Sequence, residues 1–576
     1  MQNKKRILIV GGVAGGASCA ARLRRLCENC EIVLFDKGEH VSFANCGLPY
    51  FVGNVIKEEE QLLVANPELF HDRFNIQVHT RHEVTSIDRL NKSITVIDLE
   101  TGTERTEAYD ALVLATGAKA IRPPLVGIDL PGIYSLRTIP DSKKLKAAAS
   151  HAKRAVIIGG GFIGLEMAEN LAHIGLEVTI IEMATQVMPP LDADMAGYVK
   201  TCLENNNISL LLGQAVQSFK QLAKGIEVHY SGGCIETDLV LLAIGITPES
   251  SLAKQADLQV GERGGIRVDD KMQTNDTSIW AVGDVIEVQD FVTQQQFSLP
   301  LAGPANRQGR VAASSILEAF NPELDRKLRF KGVLGTAVCQ VFEHTIAMTG
   351  ASEKLLQRTG IDNYQVIYLH PRHHVGYFPG AHSIHLKLIF AKADGKILGV
   401  QGFGQEGVAR RIDVIAMAMQ MHATVYDLED SELCYAPQFG AAKDPVNMAG
   451  MIAANHLRGD LPLAQWQDLK AGEHQVVDVR SNAEYAKEHI VDAINIPIEE
   501  LRARLYELGK DKELWLVCGV GQRAYYALRL LLQAGYQAKI LSGGMQTYKA
   551  MEMQSSHSLI STSSAVSPGW GNNSQS

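Results

Sequence analysis

Cys46 stands in the stretch Val41-Ser42-Phe43-Ala44-Asn45-Cys46-Gly47, and positions 47 to 51 read Gly-Leu-Pro-Tyr-Phe. No second thiol follows within a turn of helix, so this cysteine cannot close a local disulfide. In any redox step it must pair with oxygen, with sulfur or with a small-molecule thiol. A second cysteine, Cys518, ends the apolar run Leu514–Val517 and opens the loop Cys518-Gly519-Val520-Gly521-Gln522-Arg523, ahead of a helical pattern over Ala524–Gln533. A six-residue loop of this kind points successive backbone N–H groups at one site, and the helix dipole adds positive potential there. Both features stabilise a thiolate or persulfide anion. A phosphatase with a similar loop would also need a general acid, which the sequence does not reveal.

The elements that position Cys46 begin about 30 residues upstream, at Ile9-Val10-Gly11-Gly12-Val13-Ala14-Gly15-Gly16. This turn follows a strand over Arg6–Val10 and opens a helix over about Gly15–Leu26, as a dinucleotide pyrophosphate cradle does. The next strand, Glu31–Phe35, delivers Asp36, 20 residues after Gly16, where an acid binds a ribose hydroxyl. Val13 occupies the second glycine position. A second, complete fingerprint runs Gly159-Gly160-Gly161-Phe162-Ile163-Gly164, followed by a helix over Leu165–Ile174 and a strand over Glu177–Ile181 that ends at Glu182. One glycine triplet is weak evidence, but two, each with its acid, are strong.

The 576 residues suffice for three or four domains, and a net charge of −9 gives no reason to expect a nucleic-acid partner. The nine cysteines are scattered and odd in number, which points to a reducing, cytoplasmic compartment. Cys27 and Cys30 have redox-motif spacing but end the first helix away from any expected cofactor, so no function is assigned to them. Lys4-Lys5-Arg6 and the apolar run after it superficially resemble a signal peptide; the nucleotide-binding strand and helix explain them better. No apolar run approaches ~20 residues, so no membrane span is expected. His373 and His374 lack the cysteines or carboxylates that would make a metal site.

Ala115-Thr116-Gly117, Ala243-Ile244-Gly245 and Ala281-Val282-Gly283-Asp284 each end an apolar strand. In this order they resemble the flavin-dependent pyridine-nucleotide disulfide oxidoreductases. The resemblance implies FAD on Gly11, Gly12, Val13, Ala14, Gly16, Asp36, Lys37, Ala115, Thr116, Gly117, Gly283 and Asp284. It implies the nicotinamide nucleotide on Gly159, Gly161, Phe162, Ile163, Gly164, Glu182 and Gly245. Glu182 is followed by Met183-Ala184-Thr185, with no Arg or Lys for a 2′-phosphate, so NADH is favoured and NADPH stays open.

Residues 464 to 552 resemble a rhodanese domain along their full length. Asp478-Val479-Arg480, His489-Ile490, Ala493-Ile494-Asn495-Ile496-Pro497, the Cys518 loop and Ser542-Gly543-Gly544 carry the match. It implies that Cys518 carries sulfane sulfur, with Arg523 beside it.

Two groups of single-cysteine flavoenzymes then compete. NADH peroxidases and oxidases carry a histidine in the first fingerprint where this chain has Ala14, which counts against peroxide chemistry. Ser42-Phe43-Ala44-Asn45-Cys46 is similar instead to the coenzyme A-disulfide reductases. So are His374-Val375-Gly376-Tyr377-Phe378-Pro379-Gly380 and Cys434-Tyr435-Ala436-Pro437, running on to Lys443-Asp444-Pro445. This implies that Tyr377 and Tyr435 reach the redox cysteine of the other subunit, making homodimerisation obligatory. It also implies a CoA site lined by Ser18, Arg22, Arg25, Ser42, Asn45, Asn306 and Lys443. Arg22 and Arg25, three apart on a helix, share a face. Where the family can present a lysine after Asp72-Arg73, this chain has Phe74, so one phosphate contact is not expected.

The expected fold is α/β. It comprises an FAD domain (1–150 and 247–325), an NAD(P)H domain (151–246), an α+β dimerisation domain (326–455), a linker (456–463), an α/β rhodanese domain (464–552) and a disordered tail (553–576). The expected function is an NADH-dependent reductase of persulfide, polysulfide or CoA persulfide. Cys46 would cycle through a mixed disulfide with CoA, fed by sulfur from Cys518. A CoA-disulfide reductase with an accessory rhodanese domain, and a sulfur-delivery protein acting through Cys518 alone, are the alternatives.

Overall fold

The structure is a computed structural model that describes residues 4–470, 473–552 and 560–562. The chain divides into two compact units. One holds residues 1–189 and 202–335, the other 190–201 and 336–576.

In the first unit, apolar runs too short for helices assemble into two parallel sheets of five strands. One has the order Ile279–Ala281, Ala111–Leu114, Arg6–Val10, Glu31–Phe35, Gln77–His79. The other is Ser209–Leu212, Glu177–Glu182, Arg154–Ile158, Leu239–Leu242, Ile133–Tyr134. Ile7, Leu8, Ile9, Leu34 and Leu112 of the first sheet, and Ile157, Ile180 and Leu241 of the second, are fully buried. Burial on both faces is why these strands read as continuous apolar runs. The two glycine-rich turns lead into helices Ala14–Leu26 and Phe162–His173, each starting a little before the sequence pattern suggests. Helix Ala302–Phe320 crosses the first of these so closely that a Cβ on Gly309 would lie 2.4 Å from the Gly15 carbonyl oxygen.

The second unit contains an antiparallel sheet, Ala337–Val341, His344–Gly350, Ile397–Gly404, Ile384–Ala391, Tyr364–Leu369. Fully buried Lys387 on this sheet is ringed by Asp192 at 3.1 Å, Asp194 at 2.7 Å and Glu353 at 2.6 Å. A buried ammonium needs such company, because desolvating it alone costs several kcal/mol. A further sheet, all parallel, has the order Leu463–Ala464, Ala538–Leu541, Leu514–Val517, Gln475–Asp478, Ile494–Asn495. Ser542-Gly543-Gly544 joins the two sheets: Tyr368 N–H donates to Ser542 Oγ at 3.2 Å, and His370 Nε2 meets Thr547 Oγ1 at 2.8 Å.

Residues 456–463, expected as a linker, hold the last two residues of helix Pro445–Leu457 and the first residue of strand Leu463–Ala464. The disorder expected over 553–576 lies outside the described residues, except at Ile560–Thr562, whose backbone pairs with Glu488–Ile490. Cys27 and Cys30, given no role above, are joined by a disulfide. Arg24 draws that turn together, donating Nη1 to the carbonyls of Cys27, Glu28 and Cys30. No helix among the described residues is long and apolar enough to cross a membrane.

Candidate functional site

The two nucleotide turns share one geometry. Gly12 N–H donates to Asp36 Oδ2 at 2.7 Å and Gly38 N–H to Asp36 Oδ1 at 2.8 Å. In the second turn Gly160 N–H donates to Glu182 Oε2 at 2.7 Å and Ala184 N–H to Glu182 Oε1 at 2.8 Å. Each acid therefore locks its own glycine turn. Gly11 has φ +98°, and a Cβ there would lie 2.1 Å from the Ala115 carbonyl oxygen, so only glycine fits. Val13, at the second glycine position, has φ −92° and ψ −124°, outside the helical and extended regions, a conformation glycine would hold with less strain. At Gly161 the space a Cβ would occupy is empty within 4 Å. Neither helix N-terminus is capped by a side chain, and neither first turn holds an acid. Two uncapped N-termini beside glycine cradles fit pyrophosphate groups such as those of FAD and a nicotinamide nucleotide.

Gly283 and Asp284 follow the edge strand of the first sheet. Gly283 N–H donates to Gln308 Oε1 at 2.8 Å, and Asp284 faces Arg137 at 3.5 Å. Burial raises the Asp284 carboxyl, and Arg137 draws it back down. Ala115, Thr116 and Gly117 lie where strand Ala111–Leu114 ends, with Thr116 Oγ1 donating to the Glu249 carbonyl at 2.6 Å. Lys37 directly follows Asp36, and Gly245 has φ +107°.

Cys46 sits in a short 3-10 turn, Asn45–Gly47, just before helix Leu48–Val52; the residue as a whole is exposed while its sulfur is partly desolvated. Ser42 holds φ +51° and donates its N–H to the Gly12 carbonyl at 2.8 Å, which ties the cysteine segment to the first glycine turn. Burial pushes the thiol up. Glu166 and Asp284 add to that rise, and Arg137 opposes it. Glu166, two residues past Gly164, is itself pushed up to about 7 by burial and by Glu169, while Tyr50 hydrogen-bonds it.

Ser18 and Asn306, 288 residues apart, meet side chain to side chain where their helices cross. One turn further along, Arg22 has its Nε buried with no hydrogen-bond partner. Burial lowers the Arg22 pKa, and Arg310, Arg25 and Arg326 lower it further. Four arginines with one orphaned donor suit a phosphate-bearing ligand, for which a guanidinium fork is the matching donor.

In the second unit Tyr377 and Tyr435 meet with 3.1 Å between their hydroxyl oxygens. Lys443 is exposed beside buried Asp444, which caps helix Pro445–Leu457. Cys518 Sγ is fully buried and accepts N–H groups from Gly521 at 3.2 Å and Ala524 at 3.4 Å. Arg523 does not reach a free position over the loop: both of its terminal nitrogens donate to Glu484, each at 2.7 Å. Gln308, Arg137, Glu166, Arg310 and Glu484 were not singled out from sequence. Only Glu166 and Glu484 stand within a few residues of a recognised motif.

Two sheets of Rossmann order, each with its glycine turn and acid, define a two-nucleotide oxidoreductase. The chain belongs to the pyridine nucleotide-disulphide oxidoreductase family: residues 5–309 match that family, 336–445 its dimerisation domain and 463–551 a rhodanese-like domain. It is an enzyme of this class with a C-terminal rhodanese domain, and the family implies FAD and NAD(P)H. Over 451 residues it is 34% identical to the coenzyme A disulfide reductase of Staphylococcus haemolyticus, covering 78% of this chain and 99% of that one. Among solved structures it is similar to reduced Bacillus anthracis CoADR-RHD (44% identity, TM-score 0.92, 95% and 98% covered). It is also similar to a NAD-dependent persulfide reductase from A. fulgidus (35% identity, TM-score 0.87, 94% and 100% covered).

Proposed function

We propose that the protein is an NADH-dependent reductase of CoA persulfide and related polysulfides, acting through Cys46 and supplied with sulfur by Cys518. The observation that carries this reading is the pairing of a lone, exposed Cys46 with a second buried cysteine, Cys518, whose sulfur already accepts two backbone N–H groups. Such a cradle suits the extra sulfur of a persulfide anion.

FAD held at Gly11, Gly12, Asp36 and Asp284 would supply electron pairs to Cys46, and a nicotinamide nucleotide held at Gly159, Gly161 and Glu182 would supply the reducing equivalents. The Cys46 thiolate attacks the inner sulfur of CoA persulfide, forming a Cys46–CoA mixed disulfide and releasing hydrosulfide. Two electrons and one proton then return Cys46 to thiolate and release CoA thiol. The arginines at 22, 25, 310 and 326 hold the CoA phosphates, with Ser18, Ser42, Asn45, Asn306 and Lys443 as further contacts. Tyr377 and Tyr435 serve the Cys46 of a partner subunit. Exposed apolar side chains at Tyr377, Phe378, Met417, Met421, Tyr435 and Phe439 support a homodimer that covers them. NADH is preferred because the Glu182 carboxylate, which accepts the Gly160 and Ala184 N–H groups, would repel a 2′-phosphate.

Two variants test the division of labour. Cys46→Ser abolishes NADH oxidation with every sulfur substrate and leaves cyanide-dependent sulfur transfer intact. Cys518→Ser slows persulfide turnover from polysulfide while leaving CoA-disulfide turnover. Full persulfide turnover in Cys518→Ser would sink the relay.

A further inference from the structure

Glu484 holds the Arg523 guanidinium with two parallel 2.7 Å hydrogen bonds, a fork-to-fork pair. It is fixed there independently, because its Oε2 also accepts the Ser481 hydroxyl at 2.9 Å and the Ser481 N–H at 3.1 Å in a capping box. The other arginine flanking the loop, Arg480, is buried against Asp478 at 2.7 Å. Residues 519 to 522 carry no charge, and half-exposed Val520 gives the loop an apolar rim. Both flanking guanidinium groups are thus matched by carboxylates. What the site offers an incoming sulfur is backbone N–H and a neutral surface.

We propose that Glu484 sets which donor the Cys518 loop accepts, admitting sulfane sulfur carried on organic thiols and rejecting oxyanion-bound sulfur such as thiosulfate. The proposal rests on the reading of Cys518 as a sulfur carrier. In the loading step the Cys518 thiolate attacks the outer sulfur of R–S–SH. The new S–S bond forms as the donor's S–S bond breaks, and RS⁻ leaves and takes a proton from water, with no oxidant or reductant consumed. Thiosulfate would leave as sulfite, and its dianionic head calls for an unpaired guanidinium fork at the rim. Here that fork is already engaged, and a dianion entering the loop would give up its hydration without gaining a partner cation, which selects against it.

The test uses the full-length, FAD-loaded protein with cyanide as acceptor, comparing thiocyanate formation from glutathione persulfide and from thiosulfate. The wild type favours the persulfide by about 100-fold in kcat/KM. Glu484→Gln retains a side chain that serves the capping box and releases Arg523, so the ratio moves about tenfold toward thiosulfate. Adding Arg523→Gln moves it back. The circular dichroism spectrum and thermal unfolding midpoint of the rhodanese transition, together with NADH-dependent CoA-disulfide turnover, report that each variant is folded. An unchanged ratio in Glu484→Gln, including a parallel fall with both donors, would overturn the proposal and leave Glu484 a positioning residue for the loop. If mass spectrometry finds no added sulfur on the Cys518 peptide with either donor, the carrier reading fails as well. Loading without preference between donors overturns the donor selectivity alone.

Discussion

Tyr377 and Tyr435, 58 residues apart in sequence, meet hydroxyl to hydroxyl at 3.1 Å on an exposed surface, with 74% and 47% of their area accessible. In such a pair one hydroxyl donates to the other, and the acceptor keeps its own proton free to donate outward. The Tyr435 hydroxyl holds the Tyr377 phenol above its ordinary range, so Tyr377 stays protonated at any physiological pH. The pair can thus deliver a proton to a departing sulfur.

Removing either hydroxyl breaks the same relay. Tyr377→Phe and Tyr435→Phe should each lower kcat with CoA disulfide by about 10- to 100-fold, and the double variant should lose little more than either alone. Multiplying losses would show that the two act separately.

The arginine cluster predicts an affinity effect. Arg22→Ala and Arg310→Ala should each raise KM for CoA disulfide about tenfold, leave kcat nearly unchanged, and weaken the dependence of KM on salt. A small disulfide without phosphates should not register either change.

Cys46 reactivity should depend on pH in a defined way. A raised thiol pKa keeps the thiol protonated to higher pH, so alkylation by iodoacetamide should have its midpoint above that of an ordinary cysteine. Glu166 titrates at about 7. Below that pH it is neutral, and Glu166→Gln should match the wild type. Above it the ionised carboxylate holds the thiolate back, so the variant should react faster. Coincident profiles across the range would remove Glu166 from the account.

Nucleotide choice should reverse with local charge. Glu182→Ala combined with Met183→Arg removes the repulsion and supplies a fork for a 2′-phosphate, moving the kcat/KM ratio toward NADPH by ~100-fold. An unmoved ratio would place specificity elsewhere.

The sheets were legible because their strands are buried on both faces, so Arg6–Val10, Ala111–Leu114, Leu239–Leu242 and Leu514–Val517 stand out as uninterrupted apolar runs. Both cysteines were legible from glycines: Cys46 follows the glycine turn at Gly11–Gly16, and Cys518 opens a loop that carries Gly519 and Gly521. Gln308 and Arg310 were not, because helix Ala302–Phe320, crossing Ala14–Leu26 with Ser18 and Asn306 in contact 288 positions apart, brings Gln308 to Gly283 and Arg310 near Arg22. Arg137 bears on Asp284 in the same long-range way. Glu484 precedes its partner by 39 residues and reads from sequence as an ordinary capping glutamate. The Cys27–Cys30 spacing was visible; the Arg24 side chain that gathers three carbonyls of the same turn was not.

Persulfide reduction is tested by anaerobic NADH oxidation with the FAD-loaded protein, comparing kcat/KM for CoA persulfide and CoA disulfide. The expected result is a persulfide preference of ~100-fold, about 2.7 kcal/mol in the transition state. A preference for the disulfide would contradict it and make the protein a CoA redox-balance enzyme.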